Sequence, residues 1–184
     1  MEARRDRVRR RTLLLLARAV QTLEQAGVEW PGLDADVLFT AAIGIDRSKL
    51  YTGSFSLNDR AIQRWRKFVA RRAAREPLAY IAGCKEFYGL EFEVNPAVLI
   101  PRPETEIVVE AALNALAGKQ DVGVLDFGTG SGAIAIAIAI AVQSAAAKLT
   151  AIDISAAALE VARRNADRHG CVQRIEFLLG DGFA

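Results

Sequence analysis

Three glycines alternate with other residues in the stretch Asp126-Phe127-Gly128-Thr129-Gly130-Ser131-Gly132. Glycine has no Cβ atom, so such a loop lets a ligand come close to the peptide backbone. An apolar run, residues 122–125, precedes the loop, and a helix-like apolar run follows it. A strand, a glycine turn and a helix in this order are typical of loops that hold nucleotide-derived cofactors. The loop by itself does not choose between NAD and S-adenosylmethionine.

Carboxylates at the ends of predicted strands could complete such a site. Asp153 lies at the end of the second strand, where it can accept hydrogen bonds from ribose hydroxyls, since Ser155 can cap the next helix instead. Asp126 is predicted either to brace the loop amides or to contact the amino group of a bound methionine moiety. Asp181 follows the third strand as a turn residue or as a cofactor contact. The predicted cofactor-binding residues are therefore Gly128, Thr129, Gly130, Ser131, Gly132, Asp126, Asp153, Asp181 and Gly182.

Other reactive side chains form no recognisable set. Cys84 and Cys171 have no metal-ligand spacing, and we expect no metal site. The only histidine, His169, lies at a predicted helix end, which excludes Ser/His/Asp and Cys/His arrangements. Two thiols in a chain of 184 residues, without a convincing leader or membrane segment, predict a soluble cytoplasmic protein.

Charge divides the chain into two parts. Residues 1–75 contain 16 Lys/Arg and 8 Asp/Glu, whereas residues 76–184 contain 8 and 14. This asymmetry indicates two modules, of which the basic one can face an acidic partner such as nucleic acid. A solvated arginine-rich helix surface explains the same charges equally well. The hydrophobic content of 52% excludes a disordered chain.

Hydrophobic periodicity predicts helices first and an alternating pattern later. The first part contains helices over 3–26, 33–43 and 57–75, the last ended by Pro77, and a short helix after residues 46–48. Residues 85–100 predict a β-hairpin, with apolar runs at 90–94 and 97–100. A helix over 104–117 precedes a βαβαβ pattern, typical of a parallel sheet, at 122–127, 133–146, 149–154, 156–169 and 175–179.

Longer strings carry a family resemblance. They are Arg75-Glu76-Pro77-Leu78-Ala79-Tyr80-Ile81-Ala82-Gly83, Glu86-Phe87-Tyr88-Gly89-Leu90 and Val98-Leu99-Ile100-Pro101-Arg102-Pro103-Glu104-Thr105-Glu106, then the glycine loop and Ala151-Ile152-Asp153-Ile154-Ser155. In this order they resemble the release-factor glutamine methyltransferases, the HemK/PrmC family. Such enzymes transfer a methyl group from S-adenosylmethionine to the glutamine amide of the Gly-Gly-Gln motif in class 1 peptide chain release factors.

The resemblance implies an α/β fold: an N-terminal helical bundle, a β-hairpin linker, then the first half (βαβαβ) of a Rossmann-like class I methyltransferase domain. The implied domains are a helical substrate-docking domain at 1–80, the linker at 81–100 and the methyltransferase half at 101–184. It implies S-adenosylmethionine as cofactor and release factors as partners, with no membrane and with direct nucleic-acid binding not favoured. The segment implied to form a substrate or active-site loop is Arg102, Pro103, Glu104, Thr105 and Glu106.

One family motif has no counterpart here. The Asn-Pro-Pro-Tyr string that holds the substrate amide does not occur up to Ala184, so no catalytic residue is assigned and we expect an inactive fragment. Relatives often carry a larger residue near the adenine where this chain has Gly182. We also expect self-association through an exposed sheet edge. Two alternatives remain: a methyltransferase acting on a ribosomal protein or nucleic acid, and a non-catalytic fragment that binds a release factor or the ribosome.

Overall fold

The computed structural model describes residues 2–52, 54–119, 121–142 and 147–182. The chain divides into two compact units, Met1–Ala82 and Gly83–Ala184. Within the described ranges, no helix is both long enough and apolar enough to cross a membrane. The predicted fold class is confirmed: helices come first, an antiparallel hairpin follows, and a parallel sheet flanked by helices comes last.

The described residues of the first unit form five helices, one more than predicted. They are α1 (Glu2–Gln25), α2 (Pro31–Ile43), α3 (Arg47–Thr52), α4 (Asp59–Ala73) and α5 (Leu78–Ala82). The sequence predicted that Pro77 would end α4, but the helix ends before that residue. The chain leaves that helix at Ala74, and Arg75 takes a left-handed φ of 69°. The carbonyl of Pro77 then accepts the first hydrogen bonds of α5, from the amides of Tyr80 and Ile81.

The core of this unit is built from apolar residues of its helices. Leu23, Leu38 and Phe39 are fully buried, and the rings of Phe39 and Trp65 meet edge to face with centroids 5.5 Å apart. Edge-to-face contact is a preferred arrangement of aromatic rings. A salt bridge also lies inside, where Arg72 Nε donates to Asp34 Oδ2 at 2.6 Å. Arg72 therefore holds α4 to α2 and is not part of a solvated basic surface.

The predicted hairpin is present, but its strands differ from the prediction. Strand β1 (Cys84–Phe87) pairs antiparallel with β2 (Leu90–Glu93). Tyr88 and Gly89 connect them with φ values of 52° and 71°, the left-handed pair that a tight two-residue hairpin turn requires. The apolar run 97–100 forms no strand. It follows a turn in which Asn95 Oδ1 accepts from the Ala97 amide, so this segment leaves the hairpin.

The predicted βαβαβ pattern is confirmed. A 3₁₀ turn at Pro103–Thr105 leads into α6 (Glu106–Leu116), which begins two residues later than predicted. There follow β3 (Val122–Phe127), α7 (Ala133–Ala141), β4 (Ala147–Asp153), α8 (Ala156–Arg168) and β5 (Ile175–Leu179). The strands are parallel in the order β3-β4-β5. The predicted end of the helix over 133–146 lies partly outside the described residues, at 143–146.

The core of the second unit lies between the sheet, the hairpin and the helices. Phe92, Val109, Ile136 and Ile138 are among its fully buried side chains. Among the described strands, β3 pairs with β4 on one side only. Leu125 on this edge strand is 57% exposed. The carboxyl ends of β3 and β4 lead into the glycine loop and toward Ser155, and these two turns form the candidate site.

Candidate functional site

The glycine loop between β3 and α7 has a backbone that only glycine adopts easily. Gly128, Gly130 and Gly132 have φ values of 73°, 55° and 81°. A Cβ atom on Gly132 would also lie 2.9 Å from Cδ1 of Ile136 and 3.1 Å from Cβ of Ala162. The third glycine therefore lets the loop and α7 sit directly on α8, in addition to permitting the left-handed turn.

Backbone hydrogen bonds fasten the start of the loop to β4. The amides of Gly128 and Thr129 both donate to the Ile152 carbonyl, at 2.8 and 2.9 Å. In the part of the chain that the structure describes, no hydrogen bond uses the amides of Ser131 and Ala133. These donors lie at the N-terminus of α7, where free amides and the helix dipole favour a negatively charged ligand group.

Asp126 connects the loop to the first turn of α7 through a side-chain hydroxyl and a helix amide, and it does not bond the loop amides among the described residues. Its Oδ2 atom accepts from Thr129 Oγ1 at 2.7 Å and from the Ala135 amide at 3.2 Å. Burial raises the pKa of the Asp126 carboxyl above its usual range, although these two hydrogen bonds act in the opposite direction. The negative charge of Asp153 raises the pKa further.

Asp153 joins two loops at the end of β4. Its Oδ2 atom accepts from the Gly130 amide at 2.8 Å, and its Oδ1 atom accepts from the Ser155 amide at 2.9 Å. Ser155 Oγ accepts from the Ala158 amide and so caps α8, as the sequence suggested. A carboxylate offers about four acceptor positions, so each oxygen of Asp153 keeps capacity for a ligand hydroxyl.

A cavity of about 370 Å³ brings the two predicted segments together. The glycine loop forms one side of it, and the chain around Pro101 and Arg102 forms the other. Thr105 also lines this cavity. Glu106 does not, because its Oε1 atom accepts from the Tyr88 amide at 2.8 Å and supports the hairpin turn. Pro103 and Glu104 are exposed outside the cavity lining.

Asp181 and Gly182 lie beyond β5, and both are exposed. The Gly180 amide donates to the Asp153 carbonyl at 3.1 Å, so this turn reaches the same sheet end as the glycine loop. A Cβ on Gly182 would stand 2.0 Å from Cε2 of Phe127, and the Gly182 φ is 78°. The ring of Phe127 therefore takes the space that a side chain at position 182 would need.

Asn165 is a residue of this region that our sequence reasoning missed. It is completely buried in α8, and its Nδ2 atom donates to the Ser131 carbonyl at 2.9 Å. The same side chain also bonds both backbone groups of Glu93 in β2. The only sequence feature that could have drawn attention to it is its place on the apolar face of an amphipathic helix, between Ala162 and Ala166.

Comparison with known proteins agrees with the two units. Residues 15–83 match the family model of the PrmC N-terminal domain, and residues 124–184 match that of a methyltransferase domain. Several curated proteins similar to this chain are named release factor glutamine methyltransferases. The one from Nitratidesulfovibrio vulgaris is 42% identical over 172 residues, which cover 91% of this chain and 56% of that protein.

Two further relatives show the same partial coverage. The release factor glutamine methyltransferase of Moorella thermoacetica is 44% identical over 170 residues, covering 92% of this chain and 59% of that protein. The one from Burkholderia pseudomallei is 50% identical over 135 residues, which cover 73% of this chain and 47% of that protein. The chain thus spans about half the length of the curated relatives that it matches. The family resemblance identified in the sequence is confirmed.

Proposed function

From this resemblance to the release-factor glutamine methyltransferases, we propose that the chain provides the helical domain and the cofactor-binding half of such an enzyme. The cofactor would be S-adenosylmethionine, and the substrate would be the glutamine of the Gly-Gly-Gln motif in a class 1 release factor. One observation carries the proposal. The glycine loop and the segment around Pro101 and Arg102, more than 20 residues apart in sequence, line the same cavity of about 370 Å³.

The residues present fit this cofactor. Left-handed glycines and the free amides of Ser131 and Ala133 suit the carboxylate of its methionine part. Asp126 uses only Oδ2 in hydrogen bonds among the described residues, so Oδ1 remains for the amino group. The spare acceptor positions of Asp153 suit the ribose hydroxyls. When bound, the cofactor supplies a methyl group on a positively charged sulfur.

The protein's own contribution would be to bind the cofactor and to orient it. Asp153 holds the Gly130 amide in place, and Asp126 fixes Thr129 and the first turn of α7, so the loop is shaped before the cofactor arrives. Preorganisation of this kind reduces the entropy that binding and reaction must lose. Arg102 and Thr105 are the members of the predicted substrate loop that reach the cavity. Asp181 and Gly182 would border the cofactor from the β5 side.

The Asn-Pro-Pro-Tyr string is absent from these 184 residues. Because that motif would hold the acceptor amide, we propose that residues 1–184 by themselves bind the cofactor without transferring its methyl group. The place of action would be the cytoplasm, which agrees with the free thiols of Cys84 and Cys171. The alternative methyl acceptors, a ribosomal protein or nucleic acid, and the non-catalytic binding role have no structural observation that favours them.

Calorimetric titration tests the cofactor assignment directly. The purified chain is titrated with S-adenosylmethionine, with its demethylated product S-adenosylhomocysteine and with NAD. We expect the first two to bind and NAD to bind more weakly or not at all. Preference for NAD would contradict the assignment. Incubation with a release factor and methyl-labelled cofactor tests the second part, for which we expect no labelled release factor.

A further inference from the structure

The amide of Asn165 connects three separate parts of the second unit. Its Nδ2 atom donates to the Ser131 carbonyl at 2.9 Å and to the Glu93 carbonyl at 3.0 Å. Its Oδ1 atom accepts from the Glu93 amide at 2.7 Å. Both N–H groups and the oxygen are therefore used, and the side chain is 0% exposed. A buried polar group with every donor satisfied specifies one arrangement of its neighbours.

The orientation of this amide is determined by its partners. Two carbonyl oxygens face Nδ2, and one N–H faces Oδ1, so a flipped side chain would set its oxygen against two other oxygens. Asn165 also meets Glu93 as a neighbouring strand would, bonding its N–H and C=O together. The Asn165 side chain thus connects α8 both to strand β2 of the hairpin and to the glycine loop.

The contact with Ser131 lies within the proposed cofactor site. The Ser131 carbonyl is held by Asn165, while the Ser131 amide has no partner among the described residues. One turn earlier in α8, Ala162 lies against Gly132. The loop therefore rests on α8 at two successive points. Of these, the Asn165 bond is the directional one, and it fixes the peptide plane between Ser131 and Gly132.

We infer that Asn165 is a positioning residue, which sets the glycine loop in its ligand-binding shape and couples that shape to the β1–β2 hairpin. This rests on the proposed function, because the ligand of the loop is the proposed cofactor. The coupling must be reciprocal. If hairpin order favours cofactor binding, then bound cofactor must make the hairpin harder to open.

The first experiment compares two substitutions on α8. Asn165→Leu keeps the number and the branching of the side-chain heavy atoms but leaves the Ser131 carbonyl and both Glu93 groups unpaired. Arg164→Ala is the matched control, since Arg164 pairs with the Glu93 carboxylate at 2.7 Å at the surface and does not contact the loop. We expect Asn165→Leu to lower the affinity for S-adenosylhomocysteine about tenfold or more, the size expected when buried hydrogen-bonding groups lose their partner. Arg164→Ala should change the affinity less than about twofold.

The second experiment needs no variant. Hydrogen exchange of the Glu93 amide, which donates to Asn165, is measured in the wild-type chain with and without saturating S-adenosylhomocysteine. Bound ligand stabilises the whole unit and so slows exchange at every amide that opens globally, and the Phe177 amide in β5 serves as the reference for that effect. We expect exchange of the Glu93 amide to slow by a larger factor than exchange of the Phe177 amide. Equal slowing of the two amides, unchanged exchange at Glu93, or equal affinity of Asn165→Leu and wild type would overturn the inference alone. Failure of the wild type to bind would overturn the proposed function and the inference with it.

Discussion

The Asp153 carboxylate accepts a hydrogen bond from the Gly130 amide, with 2.8 Å between Oδ2 and the nitrogen. The two residues are 23 positions apart, and they lie at the carboxyl ends of the neighbouring parallel strands β4 and β3. The carboxylate proposed to hold the ribose therefore also shapes the loop proposed to hold the rest of the cofactor. A substitution at Asp153 acts on both at once.

Replacement of Asp153 should weaken cofactor binding. We expect Asp153→Ala to cost about 1–3 kcal/mol of binding free energy for S-adenosylhomocysteine, because hydrogen bonds to a charged group are lost. Calorimetric titration measures the change. Asp167→Ala, which removes an exposed carboxylate of α8, is the control and should bind as the wild type does. Equal affinity of Asp153→Ala and wild type would contradict the ribose assignment.

The buried Asp126 carboxyl predicts a pH-dependent stability. Its pKa is raised in the folded state by burial. Its contribution to stability is therefore fully present below the unfolded pKa, about 3.9, and is lost as the pH rises through the folded pKa. Relative to Asp126→Asn, the wild type should lose free energy of unfolding over that interval. Urea denaturation of both proteins at several pH values measures the difference, and parallel pH profiles would refute it.

Gly132 should tolerate no side chain. Gly132→Ala combines a left-handed φ of 81° with contacts of 2.9 and 3.1 Å to Ile136 and Ala162. We expect a loss of about 1–3 kcal/mol or more in the free energy of unfolding, the cost typical of a strained backbone position. Gly123→Ala in β3 is the control, since a Cβ there meets nothing within 4 Å. Similar thermal stability of the two variants would show that the loop adapts.

If the helical unit captures a release factor by charge, exposed cations of α4 should carry the effect. Arg60 and Lys67 are exposed and form no ion pair among the described residues, whereas Arg72 is committed to Asp34. We expect Arg60→Glu with Lys67→Glu to slow association with a release factor, less so at high salt. Stopped-flow association rates test this. A reduction that does not depend on salt would favour the solvated-surface interpretation.

Thermal unfolding of α4 variants separates an effect on association from an effect on stability. Arg72→Ala should destabilise the first unit by about 3 kcal/mol or more, because it leaves the Asp34 carboxylate buried without its partner. The Arg60 and Lys67 substitutions should leave the thermal midpoint nearly unchanged. If Arg72→Ala and the Arg60 and Lys67 substitutions destabilised the unit equally, the exposed cations of α4 would contribute to folding stability as Arg72 does.

The edge of β3 should promote self-association. Leu125 is exposed, and β3 has one strand neighbour among the described residues, which leaves a pairing edge. Leu125→Lys should reduce concentration-dependent association in sedimentation velocity. Leu14→Lys makes the same change at a residue 66% exposed on α1 and should have no such effect. An equal reduction by both would indicate general hydrophobic association instead of edge pairing.

The sequence by itself determined the order of elements and the place of the glycine loop, because both depend on local properties. Apolar periodicity reports helices and strands, and alternating glycines report a left-handed turn whatever surrounds them. The capping role of Ser155 could be predicted for the same reason, since its partner Ala158 lies in the first turn of the helix that follows it.

Tertiary structure alone decided the contacts between distant residues. Asn165 meets Ser131 and Glu93 across 34 and 72 positions, Arg72 meets Asp34 across 38, and Glu106 meets Tyr88 across 18. The sequence does not distinguish a charged or amide side chain that faces water from one that bonds a buried partner. The role of such a side chain depends on which elements pack against it. The strand that pairs with β2 was mispredicted although it is close in sequence, because the apolar run 97–100 resembles a strand more than Cys84–Phe87 does. Burial makes a polar group costly without its partner and so determines how much these contacts matter, and burial exists only once the chain has folded.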